Sequence, residues 1–359
     1  MTTSLFTEYV SKYFGKLISS ITEKINGKEG AQAYFFKTFL KKNETTDLTW
    51  NALESNGTVA AVDVVSMDSS LPLKKRDSIK RASGVVPKIG AKMALNEKQL
   101  SDLKVLQLKG DKEASLVVKL FADAKKLVEG VSERLEYMFL QALSSGVTVI
   151  DEDNGAGVRI AFGIPTENLF DTIGDVWATA ATATPIDDIQ AVLEAADLKG
   201  HVITNIFMDR VTLNRMRKTT QVKEAYAAFI GFAGNVAPVP NLKKLNEMLA
   251  DEQGVQIIEV NKSTMIEKSG VQTSVKGWTA GAVTFTTTLE LGSLVYGELA
   301  EKTSPVDGVA YETADDFILV SKYRKNDPLQ EFTSAQALVL PVLENVGAIY
   351  ILDSTTKAA

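Results

Sequence analysis

Residues 112–144 read KEASLVVKLFADAKKLVEGVSERLEYMFLQALS, and this stretch decides the fold. Leu116, Leu120, Ala124, Leu127, Val128, Val131, Leu135, Met138, Phe139, Ala142 and Leu143 recur at steps of mostly three and four. That spacing draws one apolar stripe along an α-helix. Glu129, Glu133, Arg134 and Glu136 fall off the stripe. Ser144, Ser145 and Gly146 end it, glycine being the usual residue past a helix C-terminus. At about 1.5 Å per residue the helix spans on the order of 50 Å, longer than an ordinary globular helix. Gly130 sits inside it at a cost of about 1 kcal/mol relative to Ala. Close packing against a neighbour is the favoured reason for that glycine, and a bend point is the alternative.

Upstream, residues 5–26 carry Leu5, Tyr9, Phe14, Leu17, Ile18, Ile21 and Ile25 at helical spacing, with Lys12, Lys16, Glu23 and Lys24 between them. After a break at 27–30, residues 31–41 read as a second helix holding Tyr34, Phe35, Phe36, Phe39 and Leu40. These two helices form either a small N-terminal core or an arm that docks on a neighbouring subunit. Residues 59–65, rich in Val, predict a strand, and residues 88–95 predict a returning one. Between Leu71 and Lys92 stand Lys74, Lys75, Arg76, Lys80, Arg81, Lys88 and Lys92, with Asp77 as the one acid. This segment of about +6 lies in a chain of net charge −6, and Pro72, Gly84 and Pro87 make it an extended excursion with a basic tip. Asn96 caps a helix that starts with Glu97.

Downstream, residues 148–162 predict a hairpin around Asn154-Gly155. A helix is expected over 185–196, a strand over 202–208, a short helix over 209–217 and another over 242–250. Extended segments are expected at 255–260, 283–288, 294–297, 317–323, 335–343 and 348–352. The whole is an α+β chain.

Composition narrows the chemistry. The 359 residues contain no Cys and one His. Disulfides, Cys-ligated zinc, iron–sulfur clusters and thiol nucleophiles are excluded, as is any metal site needing two histidines of one chain. No phosphate-binding GxxxxGK[ST] loop, GxGxxG turn or GxSxG elbow occurs. His201, beside Gly200, reads as a turn or strand-edge residue. Asp187-Asp188 follows Thr184-Pro185 and reads as a helix N-terminus favoured by the macrodipole, and Asp315-Asp316 reads as a turn. Asn43, Asn56 and Asn261 match a glycosylation pattern that is frequent by chance. The N-terminus lacks the basic residue of a secretory signal, and residues 225–242 are too broken by Gly, Asn and Pro to span a membrane. No catalytic, cofactor-binding or metal-ligating residue is assigned, and the chain is not read as an enzyme. The basic segment has three readings: a solvated loop, a binder of nucleic-acid phosphates, or a tip that meets an acidic surface of a neighbouring copy. It has no aromatic residue to stack on bases, which weakens the second.

The order of elements (N-terminal helices, long β excursion, very long helix, hairpin, mixed domain, late strands) resembles the major capsid proteins of tailed phages, the Hong Kong 97-like fold. Two blocks sharpen the resemblance. Residues 62–90, VDVVSMDSSLPLKKRDS followed by PKIG at 87–90, look like the extended loop of a phage capsid group. Residues 323–333, YRKNDPLQEFT, continuing to LPVL at 340–343, resemble the C-terminal strands of lambda-type major capsid proteins.

The resemblance implies an organisation. Residues 1–47 would be the N-terminal arm, 48–95 the E loop, and 96–184 the P domain with its spine helix and β hairpin. Residues 185–300 would be the A domain, 301–343 P-domain strands, and 344–359 the return to the A domain. Lys74, Lys75, Arg76, Lys80, Arg81 and Lys88 would make inter-subunit contacts. Phe229, Phe232, Pro238 and Pro240, within 225–240, would line a loop at the capsomer axis, and Gly130 would be the bend candidate of the spine. The implied function is self-assembly into pentamers and hexamers of an icosahedral shell around phage DNA, enclosed without sequence-specific contacts. The implied partners are copies of the same chain, with separate scaffolding, portal and decoration proteins, and no membrane or cofactor. The length leaves no room for a large fused scaffolding segment. The implied place is the virion, assembled in the host cytoplasm. The rival reading is an intracellular nucleic-acid-binding protein using residues 71–92.

Overall fold

A computed structural model describes residues 4, 6–27, 33–54, 80–108, 113–150, 157–268 and 270–358. Helix α1 (Thr7–Asn26) buries Val10, Phe14, Ile18, Ile21 and Ile25, a stripe at steps of four and three. The expected second helix is only α2 (Phe35–Phe39), because the chain turns extended at Leu40 to form β1 (Leu40–Thr45). Strands β2 (Thr49–Glu54) and β3 (Lys80–Val85) pair as a ribbon, and β4 (Lys88–Leu95) follows. The strand expected at 59–65 lies outside the described residues.

Asn96 opens α3 (Glu97–Leu108) through a reciprocal cap. Its Oδ1 accepts from the Gln99 amide at 3.0 Å, and the Gln99 side chain accepts from the Asn96 amide at 2.9 Å. The long helix is α4 (Glu113–Ser145), 33 residues without interruption. The hairpin follows as β5 (Val147–Ile150) and β6 (Val158–Ala161), its turn lying outside the described residues. Then come β7 (Leu169–Phe170), α5 (Pro185–Asp197), β8 (Asn205–Asp209), α6 (Arg210–Met216), α7 (Thr220–Phe229), α8 (Leu242–Gln253) and β9 (Gln256–Val260). An unforeseen hairpin, β10 (Thr264–Lys268) with β11 (Val271–Val275), precedes β12 (Ala282–Thr286) and β13 (Gly292–Gly297). The chain ends in α9 (Ala300–Thr303), β14 (Ala310–Ala314), β15 (Ile318–Lys325), β16 (Gln330–Leu343) and β17 (Ile349–Asp353).

Two larger sheets organise these elements. The first runs β1-β13-β16-β15-β14, with β4 also paired to β16 over Glu331–Leu338. β1 is parallel to β13 and the other pairs are antiparallel. The second runs β7-β17-β12-β8-β9. Helix α4 packs on β16, and its buried face (Leu120, Ala124, Leu127, Val131, Leu135, Met138, Phe139) joins the first core. The second core gathers Ile173, Trp177, Ile189, Val283, Phe285 and Tyr350 around the second sheet.

Sheet pairing does not follow chain order. β7, Ile173 and Trp177 belong with the second sheet, although they precede residue 185. β13, within the stretch 185–300 that the resemblance assigns to the A domain, is hydrogen-bonded within the first sheet. The N-terminal helices pack on their own chain, α1 on α4 and β14, with the Phe14 and Phe121 rings stacked at 5.7 Å.

Candidate functional site

Three surfaces hold the residues singled out by sequence. The first is the β excursion. Lys74, Lys75 and Arg76 lie outside the described residues. Lys80 and Arg81 stand on β3 in register with Glu54 and Leu53 of β2. Lys88 opens β4, and its ammonium lies 3.4 Å from Glu301 Oε1, an exposed pair of small energetic weight. Lys92 lies 5.5 Å from the centre of the Phe332 ring. Gly84 is more than punctuation, because a Cβ there would sit 2.9 Å from Trp50 Nε1. The Trp50 indole lies over this position, and a larger residue here would have to displace it.

The second is the apolar segment after α7. Its expected start at 225 is corrected, since 225–229 are helical. The missed signal is Thr219, whose hydroxyl accepts from the Val222 amide as an N-cap. Gly231, at φ 63°, donates to Ala228 O, and Phe232 donates to Ala227 O at 2.8 Å. This closing motif satisfies the last carbonyls of α7 and fixes the exit of the chain. Phe229, Ile230, Phe232, Val236 and Val239 are exposed, Val236 to 80%. Pro238 is half-buried and Pro240 buried, so these two anchor the segment's far end rather than its tip.

The third surrounds Gly130. No atom lies within 4 Å of where its Cβ would be, so close packing is not its reason. Gly130 instead lines an open groove of about 500 Å³ between α4 and the β10–β11 hairpin, with Tyr34, Glu129, Glu133, Thr264 and Met265 around it. Tyr34 donates to Glu133 Oε1 at 2.9 Å and Thr264 donates to Glu133 Oε2 at 3.3 Å. Burial, then the charge and acceptance of Glu133, push the Tyr34 phenol far above its ordinary value.

Glu136 corrects the helical-wheel reading that placed it off the apolar stripe. It is fully buried, its two oxygens accepting from the Phe35 amide at 2.9 Å and the Phe36 amide at 3.1 Å. Burial pushes its carboxyl up to about 7, against the lowering effect of those amides and of Lys262. A second buried charged group lies on the first sheet. Lys322 and Glu331 pair at 3.4 Å with neither side chain exposed.

His201 Nδ1 lies 2.8 Å from the Tyr350 hydroxyl, and burial followed by the charge of Lys199 lowers its pKa. It makes a structural hydrogen bond beside a turn. Among the described residues, no group of three or more His, Asp or Glu side chains is placed to hold a metal ion. No described helix is long and apolar enough to cross a membrane. What the arrangement offers chemically, among the described residues, is an exposed apolar segment and a polar groove.

The fold matches solved structures along nearly its whole length. The protein assigned as the capsid protein of a prophage in Escherichia coli CFT073 shares 13% identity, with a TM-score of 0.55 over 93% of this chain and 97% of that one. A phage-related protein from Bordetella bronchiseptica RB50 shares 9% identity, with a TM-score of 0.52 over 94% and 96% of the two chains. These likenesses bear out the Hong Kong 97-like fold expected from the sequence. No curated protein sequence matches the chain. The rival reading of a nucleic-acid-binding protein finds no support among these matches. The family model described as phage major capsid protein E matches residues 18–354, and the chain therefore belongs to that family of shell-forming virion proteins.

Proposed function

We propose that this chain assembles into pentamers and hexamers that close an icosahedral shell around phage DNA, with no reaction of its own to catalyse. The family match supports shell formation. The observation that carries the capsomer reading is the exposed apolar segment after α7. Phe229, Ile230, Phe232, Val236 and Val239 face solvent while the segment is pinned at Gly231 and Pro240. Apolar surface held in one geometry is what a repeated subunit contact requires.

In this reading residues 48–95 are the E loop and lie across an adjacent copy, where Lys74, Lys75, Arg76, Lys80, Arg81 and Lys88 meet acidic surface. Helix α4 is the spine of the P domain, and the second sheet with its helices is the A domain. Gly130 lets the spine bend between assembly states. DNA is enclosed through charge and volume rather than base readout, separate scaffolding, portal and decoration proteins complete the particle, and assembly takes place in the host cytoplasm.

The test is the triple variant Lys74→Glu, Lys75→Glu, Arg76→Glu. Electron microscopy and sedimentation are expected to show soluble subunits and no shells. Normal particles from that variant would overturn the role of charge in the loop.

A further inference from the structure

The Glu136 carboxylate of α4 is fully buried and bonded to a different element. Its two oxygens receive the amides of Phe35 and Phe36, the first residues of α2. Around it Phe36 and Tyr34 are almost wholly buried, and the ring of Phe39, at the end of α2, lies 6.5 Å from that of Phe139, one turn further along α4. A carboxylate so placed is dry only while the segment at 33–39 covers it.

We infer that Glu136 is a pH-sensitive catch between the N-terminal segment and the long helix, tightened when the carboxyl takes up a proton and loosened when it ionises.

The charged and titratable groups facing it come from three elements. From α4 come Glu133, whose charge opposes ionisation of Glu136, and Glu129 beyond it, whose charge acts on Tyr34. From the segment before β10 comes Lys262, which favours ionisation and whose ammonium lies 3.3 Å from Ala33 O and 4.5 Å from the centre of the Tyr34 ring. From the N-terminal segment comes the Tyr34 hydroxyl, bonded to Glu133. Lys37, next along α2, is engaged with Asp315 at 2.5 Å on another face.

Burial dominates, so the carboxyl titrates near 7 when covered and returns toward 4.5 when the segment lifts and water reaches it. The covered state then holds the proton more tightly than the uncovered one. Linkage fixes the sign: covering is favoured as pH falls from about 7 to about 4.5, and weakens as pH rises through 7. The neutral acid keeps one carbonyl oxygen for an amide and no longer needs the hydration an ion demands.

Hydrogen exchange of the unassembled full chain tests this, read on amides 33–41 and corrected for intrinsic exchange rates. Protection is expected to rise about tenfold between pH 8 and pH 6. Glu136→Gln keeps the size and one acceptor but cannot titrate, so its protection should be the same at both values. Lys262→Met removes the cation that favours ionisation and should move the wild-type midpoint to higher pH. A flat wild-type profile overturns the inference even if E136Q fails to fold. So does a wild-type step that persists in E136Q, or a midpoint that K262M leaves in place.

Discussion

Lys322 shows how a single residue can hold two distant parts of the chain. Its ammonium is wholly buried, 3.4 Å from Glu331, 3.2 Å from Thr333 Oγ1 and 3.3 Å from Leu120 O on the long helix. It also lies 5.4 Å from the centre of the Phe121 ring. Ser4 donates to the same Glu331 carboxylate at 2.5 Å, so the start of the chain is tied to this pair. Removing one partner of a buried ion pair strands the other, and Lys322→Ala is expected to cost about 3–5 kcal/mol in chemical denaturation. Replacing both by Met and Leu should recover most of that loss. Alternation in β15 does place Lys322 on the face of Ile318 and Val320, so its burial was readable in principle. What the sequence could not supply was the partner, because Glu331 lies on the next strand.

At the scale of elements, the N-terminal segment is held from two sides by groups that titrate in opposite senses. Beyond the contact at Glu136, Asp315 receives Lys37 and Lys42, the latter at 2.9 Å, and Asn26 at 3.3 Å. Burial alone would raise the Asp315 carboxyl, but the hydrogen bonds and charge of the two lysines overcome it and hold it below the usual carboxylate range. A depressed carboxyl contributes stability above its unfolded value near 4, and that stability is lost as the pH falls through its lower folded value. Asp315→Asn should therefore destabilise the chain by about 2 kcal/mol at pH 7, a difference that shrinks as the pH drops below 4. Asn tolerates the left-handed backbone (φ 52°) of this position, so the effect isolates the charge. Thermal unfolding of both proteins at the two pH values checks this.

The long helix invites a second element-level test. Gly130→Ala meets nothing within 4 Å and restores helix propensity, so it should stabilise the subunit by about 1 kcal/mol. If the spine bends there, shell yield should fall even though the subunit is more stable. Elements with strong apolar periodicity, α1 and α4 above all, were legible because one face meets a core. The β10–β11 hairpin was not: β11 is almost wholly exposed, so neither of its faces meets a core that would set it apart from a loop. Helix α2 was overread because its aromatic run continues into Leu40, which already belongs to a strand paired with β13.

For the molecule as a whole, the order of elements together with the blocks at 62–90 and 323–343 pointed to the Hong Kong 97-like fold, while the division of the sheets did not follow chain order. Residues 292–297 look no different in sequence from the strands before them, yet they cross into the first sheet. Only long-range pairing decides such membership. The basic segment and the uncharged stretch after α7, proposed above as contacts with other copies, stand out in the sequence because they are chemically unusual. The buried carboxylate of the long helix does not, since its reason is an amide pair about 100 positions away.

That pairing also sets a timetable for synthesis. β4, β13 and β15 all wait for β16, and β1 waits for β13, so the first sheet closes only after Gln330–Leu343 has left the ribosome. Contacts this distant in sequence close slowly and late. A half-made chain therefore has no finished first sheet, and the packing of the long helix on β16 must wait for the end of synthesis as well.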